Sequence, residues 1–296
     1  IEVKHFQGWI DWAKENNFKL DFNSSSFAHP KSGQLSLANP DPEIRKFWIE
    51  HTKRCRRIAD AMGKAQGDPC IMNLWVHDGQ KEQPVNRLLY RQLLKDSLDE
   101  IFSEKMDDMK DCLESKVFGI GLEAFTVGSN DFYMAYCTQN QKLVTLDTGH
   151  FHPTELVADK ISSALLFTPE VMLHVSRPMR WDSDHVTIMN DDTLELCREI
   201  VRSKALDRVH FGLDYFDASI NRIGAYVIGA RATQKCILQA LLEPTAQLQE
   251  WEVSDKGFQK LAMLEECKSL PFGAVWDMFR SEERRVGKEC VSSCRA

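Results

Sequence analysis

Short runs of apolar and β-branched residues alternate along the chain with longer stretches in which apolar residues recur every three or four positions. Six such short runs can be counted, and each is typical of a buried strand. The runs are Phe18–Phe22, Ile71–Trp75, Asp111–Lys116, Leu143–Asp147, Val171–Ser176 and Arg208–Asp214. Regular alternation of strands and helices predicts an α/β protein with a parallel sheet and helical crossovers.

The longer stretches carry the signals of amphipathic helices. One of them opens with Asp41 as a helix cap and Pro42 at the first helical position. Its apolar stripe consists of Ile44, Phe47, Trp48, Cys55, Ile58, Ala59 and Met62. After about Leu206 the strand signals stop, and helical periodicity alone continues over 218–242, 248–264 and 273–279.

These patterns divide the chain into three expected regions. We expect a partial (β/α) barrel over 1–217, a C-terminal helical extension over 218–280, and a disordered or foreign tail over 281–296. A closed barrel of this type needs eight strands, whereas six are visible and a helix precedes the first of them. We therefore expect that the first two strand–helix units of the barrel are missing.

Composition narrows the class of protein. With 296 residues, 43% of them hydrophobic, the chain can bury a sizeable core. We expect no membrane span, since no apolar run approaches the ~20 residues that one needs. The net charge of −7 argues against a nucleic-acid partner. The nine cysteines are thinly spread, which predicts free, mostly buried thiols in a reducing interior and favours a cytoplasmic location.

Acids and imidazoles collect at the ends of the last four predicted strands. With one lysine, they are Glu114, Lys116, Asp147, His150, His174, Asp182, Asp184 and Asp214. The carboxyl ends of parallel strands converge on one face of a sheet. The sequence therefore predicts five carboxylates and two imidazoles around a single opening.

Such crowding requires compensating positive charge. Two like charges ~4 Å apart repel by ~4 kcal/mol at an effective dielectric constant near 20. Oxygen and imidazole ligands suit Mn²⁺, Mg²⁺ or Co²⁺, so we predict a site for two metal ions. A single Asp at a strand end is more often a helix cap, and spacing alone does not choose between His150 and His152. Independent capping would rarely give the same pattern on four consecutive strands.

Around these residues the sequence closely resembles the bacterial L-rhamnose isomerase family, which is related to xylose isomerase. The resemblance is strongest in LDTGHFHPTE and HVSRPMRWDSDH, at 146–155 and 174–185, and in 113–121, 127–134 and 210–222. It extends from the start of the chain to about Arg280. It implies a (β/α)8 TIM barrel of the xylose isomerase type, whose first two units are absent from this chain.

The resemblance also implies a function and two metal sites. The expected reaction interconverts L-rhamnose and L-rhamnulose by a metal-assisted hydrogen shift between C1 and C2. A structural ion would be held by Glu114, Asp147, His174 and Asp214. A catalytic ion would be held by His150, Asp182 and Asp184, with Asp147 between the two. Mn²⁺ is the expected metal, with Co²⁺, Zn²⁺ or Mg²⁺ as alternatives.

Further roles follow from the same resemblance. Lys116 would approach the carbonyl oxygen of the sugar, Trp75 and Phe27 would form aromatic walls of the pocket, and the intact protein would be a homotetramer. The chain departs from the family in having His77 where we expect proline. Two alternatives stay open: an inactive metal-binding fragment, and a metal-dependent phosphodiester hydrolase, which would need a basic groove.

Overall fold

The computed structural model describes residues 1–116 and 124–281. Within these ranges the main sheet has six parallel strands, which lie side by side in the order in which they occur along the chain. They are β1 (Phe22–Ser25), β2 (Cys70–Trp75), β4 (Met109–Glu114), β6 (Leu143–Asp147), β7 (Val171–Val175) and β8 (Val209–Leu213). The predicted parallel sheet is confirmed, and it has the form of a half-barrel. The short strands β3 (Gly79–Gln80) and β5 (Phe125–Thr126) form a separate antiparallel pair.

Helices connect the strands and continue beyond the sheet. They are a 3₁₀ turn (Val3–Phe6), α1 (Gln7–Glu15), α2 (Pro42–Gln66), α3 (Arg87–Phe102), α4 (Asn130–Asn140), α5 (Ala158–Leu165), α6 (Asp191–Arg202), α7 (Arg222–Leu241), α8 (Thr245–Val253) and α9 (Gly257–Cys267). Residues 272–281 are also helical. In the part of the chain that the structure describes, none of the helices combines the length and apolarity of a membrane span.

The start of α2 shows how the sequence fixes a helix boundary. The Asp41 carboxylate accepts a hydrogen bond from the backbone N–H of Glu43 at 2.9 Å, and Pro42 occupies the first turn, as predicted. Gly67 ends the helix with φ of 65°, a left-handed conformation that glycine adopts without steric cost.

The alternation of side chains along the strands separates two environments. Outward-facing residues such as Leu74, Val144 and Leu173 join the large core between the sheet and the helices. Inward-facing residues near the strand starts form a small apolar layer of their own, made of Ile71, Cys112, Leu143 and Met172. Two residues further along each strand, the inward-facing side chains become polar, so this layer is the floor of the functional site.

The first strand lies further along the chain than the sequence predicts. Pairing with β2 begins at Phe22, opposite Met72, rather than at Phe18. Phe18 instead stacks on Trp12, with ring centroids 5.4 Å apart, and Lys19 binds the Asp68 carboxylate at 2.8 Å. Backbone pairing with β2 therefore overrides the weak strand preference of the polar segment that follows Phe22.

Two expectations about the organisation of the chain stay predictions. They are the two missing strand–helix units and the division at residues 217 and 280. The tail predicted over 281–296 lies outside the described residues, apart from Ser281. The free-thiol prediction is confirmed for the seven cysteines that the structure describes, all of which are buried.

A buried ion pair fastens α2 to the sheet and leads to a stability prediction. Arg56 binds Asp111 of β4 through Nε and Nη2, at 2.7 and 3.1 Å, and both side chains are almost fully buried. Arg56→Met should lower the free energy of unfolding by about 3–5 kcal/mol. It breaks the buried ion pair, so that Asp111 keeps only its contact with Lys142, and it removes the donor to the backbone oxygens of Ile101 and Glu104. Urea unfolding measures this loss. The exposed neighbour Arg57, paired with Glu104, is the matched control, and Arg57→Met should cost less than about 1 kcal/mol. Equal losses for both variants would show that burial of the Arg56 pair contributes nothing.

Candidate metal centre

The first group of possible metal ligands joins four parallel strands. One ligand atom from each of Glu114, Asp147, His174 and Asp214 lies within 4.8 Å of all the others. Nδ1 of His174 is 3.1 Å from a carboxylate oxygen of Glu114 and 3.1 Å from one of Asp214. The structure therefore brings together the four residues that the sequence suggested for a first ion.

The second group shares Asp147 with the first. It consists of Asp147, His150 and Asp182, again within 4.8 Å of one another. Nε2 of His150 is 3.2 Å from Oδ2 of Asp182, which also binds Nζ of Lys116 at 2.6 Å. Asp184 belongs to neither group, although the sequence suggested it as a ligand. Its backbone has φ of 51°, in the left-handed region, within the loop after β7.

Burial and charge oppose each other in the first group. Burial raises the pKa of Glu114, but the contacts with His174 outweigh burial and bring the pKa down to about 2. For Asp147, burial dominates and raises the pKa to about 7. Burial lowers the pKa of His174, yet Glu114 and Asp214 outweigh it and raise the pKa to about 11. The carboxylates thus surround His174 with strong negative potential.

Burial and neighbouring charges also have opposing effects on the pKa values in the second group. Burial lowers the pKa of His150, while Asp147 and Asp182 raise it to about 9 overall. Burial raises the pKa of Asp182, but His150 and Lys116 lower it to about 2 overall. The pKa of Asp184 is raised to about 6 by burial first, and then by the negative charges of Asp182 and Asp214. Asp184 therefore lies within the electrostatic field of both groups.

Neighbouring polar groups hold the ligand side chains in place. The amide of Asn73, from the middle of β2, donates to Oε2 of Glu114 at 2.5 Å and accepts from the Thr145 hydroxyl at 2.6 Å. The backbone N–H of Gly149 donates to Oδ1 of Asp147 at 2.6 Å. Such contacts orient metal ligands. Our sequence reasoning missed Asn73, although a buried amide between Met72 and Leu74 was a visible signal.

The structure resolves the choice between two histidines. His150 is buried, and its Nδ1 lies 2.8 Å from the backbone oxygen of Ser115, which leaves Nε2 directed at Asp182. His152 is exposed and contacts Thr154. Of these two histidines, His150 is the one in a position to bind an ion with Asp147.

Aromatic and cationic side chains border the two groups. Nζ of Lys116 lies 5.5 Å from the ring centroid of Trp75, at the end of β2, and is 3.3 Å from Nε2 of His150. Phe27 meets Trp75 edge to face, with centroids 5.7 Å apart. The structure thus gathers Lys116, Trp75 and Phe27 beside the predicted ligands.

The donor set fits divalent metal ions. Glu114 and Asp147 are only 2% and 3% exposed, and ionised carboxylates are costly to bury unless they are paired with positive charge. Four carboxylates contribute to the two groups, against two imidazoles. Oxygen and imidazole donors without thiolate suit Mn²⁺, Co²⁺ or Mg²⁺. Residues of this chain could therefore hold two ions that share Asp147.

Comparison with known proteins agrees with a site that could hold metal ions. A parallel half-barrel with acidic and imidazole side chains at its strand ends is typical of TIM-barrel-type enzymes, and these side chains could hold metal ions. The family model of L-rhamnose isomerase matches residues 1–296. The chain belongs to the L-rhamnose isomerase family and is an isomerase. This family match extends over 281–296 as well, and the assignment of these residues as a disordered or foreign tail stays a prediction.

Individual relatives support the assignment. The L-rhamnose isomerase of Bacteroides thetaiotaomicron is 71% identical over 279 residues, which cover 94% of this chain and 67% of that protein. The L-rhamnose isomerase of Shigella sonnei is 52% identical over 300 residues, which cover 100% of this chain and 72% of that protein.

Solved structures support the fold alone. A D-tagatose 3-epimerase-like protein has a TM-score of 0.59 at 14% identity and covers 80% of this chain and 85% of its own. An L-ribulose 3-epimerase has a TM-score of 0.50 at 12% identity and covers 92% and 84%.

Proposed function

We propose that this chain interconverts L-rhamnose and L-rhamnulose. Membership of the L-rhamnose isomerase family supports this reaction. The observation that carries the proposal is the pair of ligand groups joined by Asp147, because it can hold two cations next to Lys116 and Trp75. The reaction moves one hydrogen between C1 and C2 and one proton between their oxygens. It is balanced within the sugar and needs no external oxidant or reductant.

The metal assignment extends this proposal. Glu114, Asp147, His174 and Asp214 would hold one ion, and Asp147, His150 and Asp182 the other, with Asp184 as an additional ligand. We propose Mn²⁺ as the natural ion. Bound ions would supply Lewis acidity toward the hydroxyl and carbonyl oxygens of an open-chain sugar.

The remaining side chains would bind and orient the sugar. Lys116 would donate a hydrogen bond to the carbonyl oxygen at the point where negative charge develops. Trp75 and Phe27 would face the C–H groups of the sugar and exclude water. Asp182 binds Nζ of Lys116 at 2.6 Å, so it would keep the ammonium group directed at the sugar.

Other proposals concern the setting of the enzyme. We propose a homotetramer that acts in rhamnose catabolism, as the resemblance implies. We also propose a cytoplasmic location, because buried free thiols are typical of a reducing compartment. We also propose that 1–217 form the catalytic barrel region and 218–280 a helical extension.

Lys116 provides the test of the proposed function. In the Mn²⁺-loaded chain, Lys116→Met should reduce kcat for L-rhamnose by about 10²–10³-fold, because it removes a donor to developing negative charge. Metal content should be unchanged, since Lys116 is not a ligand. Ketose formation measures turnover, with the Bacteroides thetaiotaomicron protein as positive control. Hydrolysis of a phosphodiester without sugar turnover would favour the hydrolase alternative. Metal binding without either activity would favour the inactive fragment.

A further inference from the structure

Two adjacent buried polar residues connect the end of β2 to the loop between β1 and α2. They are His77 and Asp78, which are 4% and 0% exposed. Both follow Trp75, the last residue of β2, and neither is a member of the two ligand groups. The loop that they reach, residues 26–41, carries Phe27.

Asp78 binds the middle of this loop. Its Oδ1 accepts hydrogen bonds from the backbone N–H and the hydroxyl of Ser36, at 2.7 and 2.6 Å. Its Oδ2 accepts from the backbone N–H of Ala38 at 2.6 Å. Hydrogen bonds to an ionised acceptor are the strong ones, so these three contacts fix residues 36–38 against the end of β2.

His77 binds two other points of the same loop. Its Nδ1 lies 3.0 Å from the Ser26 hydroxyl, and its Nε2 lies 3.2 Å from the backbone oxygen of Gly33. The Ser26 hydroxyl is also 3.2 Å from that of Ser36. The contacts of His77 and Asp78 therefore form one continuous network that begins at Ser26, the residue directly before Phe27.

Phe27 depends on this anchoring more than on packing. The residue is 48% exposed, and its ring meets that of Trp75. A half-exposed ring is only weakly held by burial, so its position depends on the adjacent Ser26, whose hydroxyl contacts His77 and Ser36. Because Trp75 and His77 belong to one short segment, the network sets the separation of both aromatic walls.

We propose that His77 and Asp78 are positioning residues that hold Phe27 against Trp75 and thereby shape the wall of the sugar pocket. This inference rests on the proposed function for its kinetic consequence. The anchoring of the loop itself is independent of that function and can be measured separately.

The kinetic test is a double-mutant cycle between His77 and Phe27 in the Mn²⁺-loaded chain. His77→Ala and Phe27→Ala should each raise KM for L-rhamnose by about tenfold, which corresponds to ~1.4 kcal/mol, and change kcat less than about twofold. The double variant should resemble Phe27→Ala alone, because His77 acts through Phe27. Ser36→Ala, which removes one donor to Asp78, should raise KM to a smaller extent. If the increase in KM of the double variant equals the product of the increases of the two single variants, the proposal is overturned.

A matched control and a second measurement separate the possible failures. His210→Ala breaks a contact with Glu170 near the start of β8, and it should leave KM unchanged. Hydrogen–deuterium exchange over residues 26–38 should be faster in His77→Ala than in the unmodified chain or in His210→Ala. Unchanged exchange would overturn the anchoring role. An unmodified chain without turnover, but with faster exchange in His77→Ala, would confirm the anchoring and refute the proposed function instead.

Discussion

Exhaustive chelation is expected to abolish L-rhamnose isomerisation, and added Mn²⁺ is expected to restore it. The physical reason is the concentration of charge around Asp147. Glu114 and Asp147 are almost fully buried, and the carboxyl group of Asp182 faces the same opening. Divalent ions would neutralise this charge and polarise the sugar, so their removal should reduce turnover by at least about 10³-fold.

Chelation should also lower thermal stability. An ion that binds only the folded chain stabilises it by about 2.7 kcal/mol when its concentration is 100 times Kd. The melting temperature should therefore rise as Mn²⁺ is added to the chelated chain. Asp147→Asn is the informative variant, since Asp147 belongs to both ligand groups, and the variant should lose most of this rise. Turnover that survives exhaustive removal of metal would contradict the mechanism.

The fold was predictable where strand signals were strong. Leu143–Asp147 has the same bounds in the sequence analysis and in the structure, because it is buried on both faces and the β-branched Val144 and Thr145 at its centre favour a strand. The first strand was placed too early, because Asn23, Ser24 and Ser25 have low strand preference and are held by pairing with β2. The strands β3 and β5 have only two residues each, too few to show a period.

The site was predictable for a different reason. Polar residues that end apolar strands are conspicuous in a sequence, and parallel topology brings strand ends together, so Glu114, Asp147 and His174 could be grouped without coordinates. Tertiary contacts decided the rest. Spacing alone does not choose between His150 and His152. Burial and the contacts of His150 with Ser115 and Asp182 distinguish His150.

Replacement of both loop aspartates is expected to eliminate turnover while the fold is retained. Asp182 and Asp184 lie in the loop after β7, outside the strands that form the floor and the core. Asp182→Asn combined with Asp184→Asn should reduce kcat by at least about 10³-fold, because the second group loses a ligand and Lys116 loses its carboxylate partner. Bound metal should fall from about two ions to about one per chain, since the first group keeps all four residues.

Measured without added metal, the free energy of unfolding should change little in this variant, by less than about 1 kcal/mol. Burial raises the pKa of Asp184, and the negative charges of Asp182 and Asp214 raise it further. Removal of charge from the loop therefore relieves repulsion, which offsets the loss of the contact with Lys116. Asp191→Asn with Asp192→Asn removes the same charge from the exposed start of α6 and should affect neither turnover nor metal content. If the loop variant unfolds, Asp182 and Asp184 hold the fold together rather than the second ion. If it keeps two ions and full turnover, the second site lies elsewhere.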